Sequence, residues 1–232
     1  TKIKNKAPTK NKICAVLFSG GKDSCLALHK ALQNGFNVKY LLSVFPENPD
    51  SFMFHKPDLK LLEKQAEMLG IELIVMGSKG EKEKELEDLE KLILRVSKDV
   101  GTIVVGGIAS DYQGSRIKKI CDDLGLEFYT PILGYSPNHV WKELFDSGFK
   151  VILTKRACEG LTDELLGVII DKEKFKDMEK RSEKYKFRLD FEGGEAESAV
   201  LFMPEFAKEI KLETEVINQG EHNSILKIKK VL

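Results

Sequence analysis

The stretch VLFSGGKDSCLA (16–27) decides how the rest of the chain is read. An apolar run stops at Ser19. Two glycines follow, then a cation, Lys22, an anion, Asp23, and a hydroxyl, Ser24, before a new apolar pattern begins. A buried strand that hands over to a helix in this way builds an anion cradle. Gly20 and Gly21 carry no side chains, so backbone N–H groups approach an anion closely, and the positive end of the following helix points at the same place. Lys22 adds a full charge, and Ser19 and Ser24 add hydroxyl donors. The bend is not a Walker loop, which needs glycine at 16 and Ser or Thr at 23, where Val16 and Asp23 stand. A carboxylate beside phosphates repels them unless it holds a cation, and Mg²⁺ typically takes one or two carboxylates with phosphate oxygens. Asp23 is therefore the candidate Mg²⁺ ligand. The plainer alternative is an acidic residue favoured at a helix N-terminus.

Outward from the bend, four short apolar runs read as buried strands: CAVLF (14–18), YLLSVF (40–45), LIVM (73–76) and TIVV (102–105). EFYTPI (127–132) supplies a fifth. They lack polar alternation, as expected when both faces of a sheet are covered. Helical stripes lie between them: Cys25, Leu28 and Leu32; Leu59, Leu62, Ala66 and Leu69; Leu86, Leu89, Ile93 and Val96; Ile117, Ile120, Cys121 and Leu124. The alternation predicts an α/β fold with a parallel twisted sheet and right-handed crossovers. In such sheets ligands bind beyond the carboxyl ends of the strands, where residues 19–24 fall. The charged run KGEKEKELEDLEKL (79–92) has leucines at helical spacing and reads as the solvated face of an amphipathic helix.

After Pro131 the pattern changes. PNHVWKELFDSGF reads as a helix, KVILT as a strand, and EGLTDELLG (159–167) as a short polar-and-leucine segment. A charged helix over roughly 173–187 precedes EGGEAES (192–198), read as a polar loop entering the strand AVLFMP. IKLETEV (210–216) and ILKIKKVL (225–232) read as an antiparallel pair across a turn containing Gly220. The expected organisation is a flexible basic tail over 1–11, a nucleotide-binding domain over 12–130 and a smaller α+β domain over 131–232.

The 232 residues, 42% hydrophobic and 32% charged, suffice for a packed core, and a formal net charge of zero gives no global reason for direct nucleic-acid binding. No apolar stretch reaches membrane-spanning length. Cys14, Cys25, Cys121 and Cys158 form no CxxC pair, which disfavours a zinc ribbon and fits a reducing cytosol. Cys14 and Cys121 sit in apolar patterns and read as core residues, as does Trp141. His29, His139 and His222 have no constellation around them.

SGGKDS resembles the signature of the PP-loop ATP pyrophosphatases. That resemblance implies a loop holding the β,γ-pyrophosphate of ATP and cleavage between the α and β phosphates. PENPDSFMFHKP (46–57), GEKEKELEDL (80–89) and GGIASDYQGSRI (106–117), with EGLTDELLG and EGGEAES, resemble the diphthine–ammonia ligase family over residues 12–204. The chain departs from the family's pattern at Phe191, usually glycine, at Ala196, usually aromatic, at Ser198, usually threonine, and at Asp111, commonly asparagine.

The resemblance implies an adenine-nucleotide α-hydrolase (HUP, Rossmann-like) sheet and ATP-dependent amidation of the diphthine carboxylate by ammonium. An acyl-adenylate would form on the way, and AMP and pyrophosphate would leave. It implies ATP and Mg²⁺ as cofactors, translation elongation factor 2 carrying diphthine as partner, and a cytoplasmic location. The oligomeric state stays open, a homodimer included. Ser19, Gly20, Gly21, Lys22, Asp23 and Ser24 are expected to hold the nucleotide with Gly106 and Gly107, though a tight turn explains that second glycine pair equally well. Lys22, Asp23, Arg116 and Glu195 are the candidate catalytic residues. Glu47, Asn48, Asp50, His55, Glu81, Ser110, Tyr112, Gln113, Arg116, Glu159, Gly160, Glu195 and Glu197 are candidate substrate contacts. His55 reads equally as a structural histidine, Arg116 as one side of a surface ion pair with Asp122 or Asp123, and Glu195 and Glu197 as loop residues. A tRNA-modifying PP-loop enzyme of the thiolase or lysidine-synthetase type is the rival reading, and a non-catalytic nucleotide-binding module the third.

Overall fold

The computed structural model describes residues 12–46, 58–79, 84–107 and 111–232. The basic tail over 1–11 lies outside them. The chain divides into two compact units. One comprises the residues up to Ser19 together with Asp23–Leu133, the other Gly20–Lys22 together with Gly134–Leu232.

In the first unit, β1 (Ile13–Leu17), β2 (Asn37–Pro46), β3 (Glu72–Ser78), β4 (Thr102–Val104) and β5 (Glu127–Tyr129) form a parallel sheet in the order β3-β2-β1-β4-β5. The connecting helices are α1 (Lys22–Gln33), α2 (Leu59–Leu69), α3 (Lys84–Val96) and α4 (Asp111–Asp123). Successive strand residues face opposite sides of a sheet. Cys14, Ala15 and Val16 are all buried, so both faces of β1 are covered, and this is why the strand shows no polar alternation. Ala15, Leu42, Val44 and Ile103 pack with Leu89, Leu92 and Ile93 of α3 and Ile117, Ile120 and Cys121 of α4. The expected parallel α/β fold is what the chain adopts. Because β2 and β4 flank β1 on opposite sides, the chain reverses direction across the sheet at β1 and β4. Such a switch point is where open α/β sheets bind ligands.

The helix faces differ from the expected stripes in detail. The core side of α2 is Leu61, Leu62, Gln65, Ala66 and Met68, with Leu59 and Leu69 half-buried. From Lys84 on, the charged run lies on a helix with a solvated face as expected, except that Glu85 is fully enclosed at 0% exposure. The fifth strand is shorter than EFYTPI, since Pro131 has no N–H to give to a ladder and the chain turns there.

In the second unit, β6 (Lys150–Ala157), β7 (Ala196–Phe202), β8 (Leu212–Gly220) and β9 (Asn223–Val231) form an antiparallel sheet in the order β7-β6-β9-β8. It is accompanied by α5 (Pro137–Asp146) and α6 (Lys172–Tyr185). Ser136 caps α5 by accepting from the His139 N–H at 3.2 Å, with Pro137 supplying the first helical φ, and Asp171 caps α6 through the Lys174 N–H at 2.8 Å. Trp141 is core, as expected. EGLTDELLG holds a short 3₁₀ turn at Asp163–Leu165 and buries Leu161, Leu165 and Leu166. Among the described residues no helix is long and apolar enough to cross a membrane.

Candidate active site

The bend over 19–24 leaves the carboxyl end of β1, as its sequence requires. Gly20 has φ 73°, the left-handed region that a side chain disfavours, and α1 begins two residues later. Ser24 closes the bend from inside the helix. Its Oγ accepts from the Ser19 N–H at 3.3 Å and lies 3.2 Å from the Ser19 Oγ. Gly106 and Gly107 follow β4, beside β1, and face the first turn of α1. A Cβ on Gly106 would lie 2.7 Å from the Asp23 backbone carbon and oxygen and 2.8 Å from the Ser24 nitrogen. Backbone cannot yield as a side-chain tip does, so close approach of α1 requires glycine at 106 without reference to a ligand. A Cβ on Gly107 would meet the Asp23 Cβ at 3.2 Å.

Gly20–Lys22 group with the second unit. The Val200 N–H donates to the Gly20 carbonyl at 3.0 Å, and the Lys22 N–H donates to the Ser198 Oγ at 3.2 Å. The Lys22 side chain is 2% exposed. Its Nζ donates to the Asp190 carbonyl at 2.7 Å and stands 5.3 Å from the centroid of the Phe191 ring. Phe191 has φ 65°, a left-handed backbone on a bulky residue, at the position where glycine was the expected residue. Its buried ring meets Trp141 edge-on at 6.3 Å, and the Trp141 Nε1–H donates to the Leu189 carbonyl at 3.0 Å.

Glu195 curls back over its own turn. The Arg188 N–H donates to its Oε1 at 3.2 Å, while Oε2 is enclosed and makes no hydrogen bond among the described residues. A Cβ on Gly193 would lie 2.5 Å from Oε1, and Gly194 has φ 85°, so one glycine admits the carboxylate and the other turns the chain. Glu197 stands on β7 and not in a loop. It sits opposite Lys155 of β6 and pairs with its Nζ at 3.2 Å. Two glycines mask the start of this strand in the sequence. Glu159 is exposed. Gly160, at φ 96°, is held against the Tyr185 ring, which a Cβ would meet at 2.7 Å.

Gln113 and Arg116 are half-buried on α4, and the backbone of Tyr112 belongs to the same helix. Asp122 and Asp123 pair with Lys118 and Lys119, one turn earlier on α4. Helical spacing thus gives both aspartates partners other than Arg116. Glu47, Asn48, Asp50, His55, Glu81 and Ser110 lie outside the described residues. All four cysteines are free thiols, and burial pushes the Cys14 and Cys121 thiols up to about 12, as inert core groups require.

The family model for the diphthamide synthase N-terminal domain matches residues 12–128, and the model for its C-terminal domain matches 136–232. The chain belongs to the diphthamide synthase family. The diphthine–ammonia ligase of Danio rerio is 30% identical over 214 residues, covering 84% of each chain. That of Mus musculus is 27% identical over 222 residues, covering 86% of this chain and 82% of its own. That of Schizosaccharomyces pombe is 31% identical over 90% of this chain, which spans only 37% of the yeast protein's length. A solved structure, the U34-tRNA thiolase NcsA from Methanococcus maripaludis with its [4Fe-4S] cluster, aligns with TM-score 0.38 and 11% identity. It covers 79% of this chain and 71% of that one, too loose a likeness to bear on chemistry. The expectation of a ligase family is met. The sequence assigns no site role to Arg188, Asp190 or Phe191 of this diphthamide synthase family member. The one available signal was Phe191 standing where the family usually has glycine.

Proposed function

We propose that the chain converts the carboxylate of diphthine on translation elongation factor 2 into the amide, using ATP and ammonium and releasing AMP and pyrophosphate. The observation that carries the reading is the bend over 19–24, at the switch point of a parallel sheet, in a chain of the diphthamide synthase family. A free carboxylate resists ammonia because oxide is a very poor leaving group. Attack of a carboxylate oxygen on the α-phosphorus breaks the bond to the bridging oxygen, and pyrophosphate departs with its electron pair. Ammonia then adds to the acyl carbon of the mixed anhydride, loses a proton and expels AMP.

Negative charge grows on the departing pyrophosphate. Lys22, the N–H groups of the bend and the N-terminal dipole of α1 are the groups we assign to it, and preorganised donors of this kind commonly contribute a few kcal/mol each. Among the described residues no three His, Cys, Asp or Glu side chains gather as a metal cage. A single carboxylate, that of Asp23, suits an ion that arrives with the phosphates, and Mg²⁺ held there would neutralise their charge. To Arg116 we assign an anionic group of the nucleotide or the diphthine carboxylate. To the enclosed Oε2 of Glu195 we assign the incoming nitrogen, since a carboxylate oxygen in such a place accepts an N–H strongly. Four free thiols support the cytosol as the working compartment.

The test mixes the protein with ATP, Mg²⁺, ammonium and elongation factor 2 carrying diphthine. AMP release should rise in step with the acid-to-amide mass change. AMP without amide would point to another acceptor, and ADP in place of AMP would contradict the reading.

A further inference from the structure

The antiparallel sheet of the second unit has two unlike edges. At one edge β7 is covered: the Val200 N–H donates to the Gly20 carbonyl at 3.0 Å, and the Leu201 carbonyl accepts from the Ile210 N–H at 2.9 Å. At the other edge stands β8, nine residues long, with no strand beyond it among the described residues. Residues 213–216 and 218–220 are exposed. An open edge offers a row of unpaired N–H and C=O groups to another chain, and proteins that stay apart blunt such edges with lysine, proline, bulges or shortness. LETEVINQG has neither lysine nor proline. Its register shifts fall near the two ends, at Glu213/Thr214 and Asn218/Gly220, so residues 214–218 run regular.

The charges of the strand are met from β9. Glu215 pairs with Lys229 at 3.0 Å and Glu213 with Lys230 at 3.9 Å. Val216, in the middle, is 40% exposed and faces Leu226 of β9. Gly167, on which a Cβ would meet the Leu226 Cδ1 at 3.1 Å, is followed by the exposed Val168 and Ile169.

The sequence of β8 selects what pairs with it. In a two-fold antiparallel pair, facing residues lie on the same side of the sheet, so the axis passes through a residue position. All nine residues pair only when that position is Val216. Glu213 then faces Gln219 of the copy, Thr214 faces Asn218 and Glu215 faces Ile217, and no like charges meet. Leu226 and Val216 join Val216 and Leu226 of the copy in one apolar row. An axis at Glu215 sets two carboxylates against each other, and an axis at Thr214 sets Glu213 against Glu215, both destabilising. An axis at Ile217 faces Val216 with Asn218 and breaks the apolar row.

We propose that β8 is the pairing edge of a two-fold homodimer, in which the antiparallel sheet continues from one copy into the next with Val216 on the axis. The proposal is independent of the reaction assigned above, so either can fail alone.

The test is sedimentation velocity on the full chain without ligands. A species of twice the chain's mass should dominate by about 100 µM. Val216→Lys and Val216→Glu should each weaken the dimer at least about tenfold, because two like charges then face each other on the axis. An equimolar mixture of the two variants should recover it as a heterodimer. A wild type that stays monomeric at about 100 µM overturns the inference, even if a peptide or an acceptor protein binds along β8. So does a dimer that both variants leave intact, or a mixture that stays monomeric. If the variants at 216 melt below the assay temperature, Ile217 replaces Val216 as the probe. Ile217→Glu, opposite Glu215 of the copy, should weaken the dimer, and Ile217→Lys should tighten it. The same sign of change from both would overturn the register.

Discussion

Gly20 and Phe191 adopt nearly the same left-handed backbone, φ 73° and φ 65°, and both bear on Lys22. One belongs to the bend that carries the lysine, the other to the turn that receives its ammonium. The bend uses the residue for which this conformation carries no steric penalty. The turn uses a bulky one, for which it costs about 1–2 kcal/mol. What offsets that cost is on the other side of the Cα: a buried ring that meets Trp141 and lies under the Lys22 Nζ. The pair teaches that a positive φ is a demand on the backbone only. A side chain with enough apolar contact can occupy it, the contact offsetting the steric cost that glycine avoids, so the absence of glycine does not exclude such a turn.

The largest effect should come from removing what both turns serve. Lys22→Ala should lower single-turnover AMP formation by about 10²–10³-fold, the loss typical of one preorganised donor to a developing anion. A rate within tenfold of wild type would place the phosphates elsewhere.

Next comes the turn. Phe191→Ala should destabilise the fold by about 3–5 kcal/mol in urea, as deletion of a buried aromatic ring does. Phe191→Gly removes the same ring and relieves the backbone, so it should be more stable than Phe191→Ala by about 1 kcal/mol. Alanine proving the more stable of the two would deny that the left-handed strain is real.

On the side of the bend, Gly106→Ala forces a Cβ into the Asp23 backbone and should cost about 1–3 kcal/mol, with weaker ATP binding as α1 is displaced. Tolerance of alanine there would mean that α1 does not pack against the end of β4 as described.

The smallest effect is electrostatic. The folded-state carboxyl of Asp190 lies below its ordinary value of 3.8, so its ionised form favours the fold. Its contribution is complete above that value and lost as pH falls through the lowered one. The same sign holds for Asp163, lowered first by its hydrogen bond from the buried Arg156, then by Ser224. Asp190→Asn should therefore flatten the acid limb of a Tm-against-pH profile by less than about 1 kcal/mol, because Arg188 is exposed and the pair well screened. An unchanged acid limb would mean that the Arg188–Asp190 pair does not persist in solution.

The parallel sheet and the bend were legible in the sequence because both are local. A strand covered on two faces writes a continuous apolar run, as in CAVLF, and a strand-to-helix bend writes its glycines and charges within six residues. The turn at 188–194 was not legible, because its purpose lies 168 residues away, at the Nζ of Lys22. Glu85 sat in a run of charges, and nothing in that run marks which carboxylate is enclosed. The loop alternative for Glu197 comes from the glycine pair ahead of it, which hides the start of β7. Gly106 shows the converse: the glycine stands out in the sequence, and the structure supplies a backbone contact that needs no nucleotide.

The central claim is that the innermost phosphorus of ATP is attacked by the carboxylate of the acceptor. Diphthine labelled with oxygen-18 in its carboxylate tests this in one turnover. The account predicts AMP carrying one labelled oxygen, formed together with amide and unlabelled pyrophosphate. Unlabelled AMP, or label in inorganic phosphate with ADP as the nucleotide product, would contradict it.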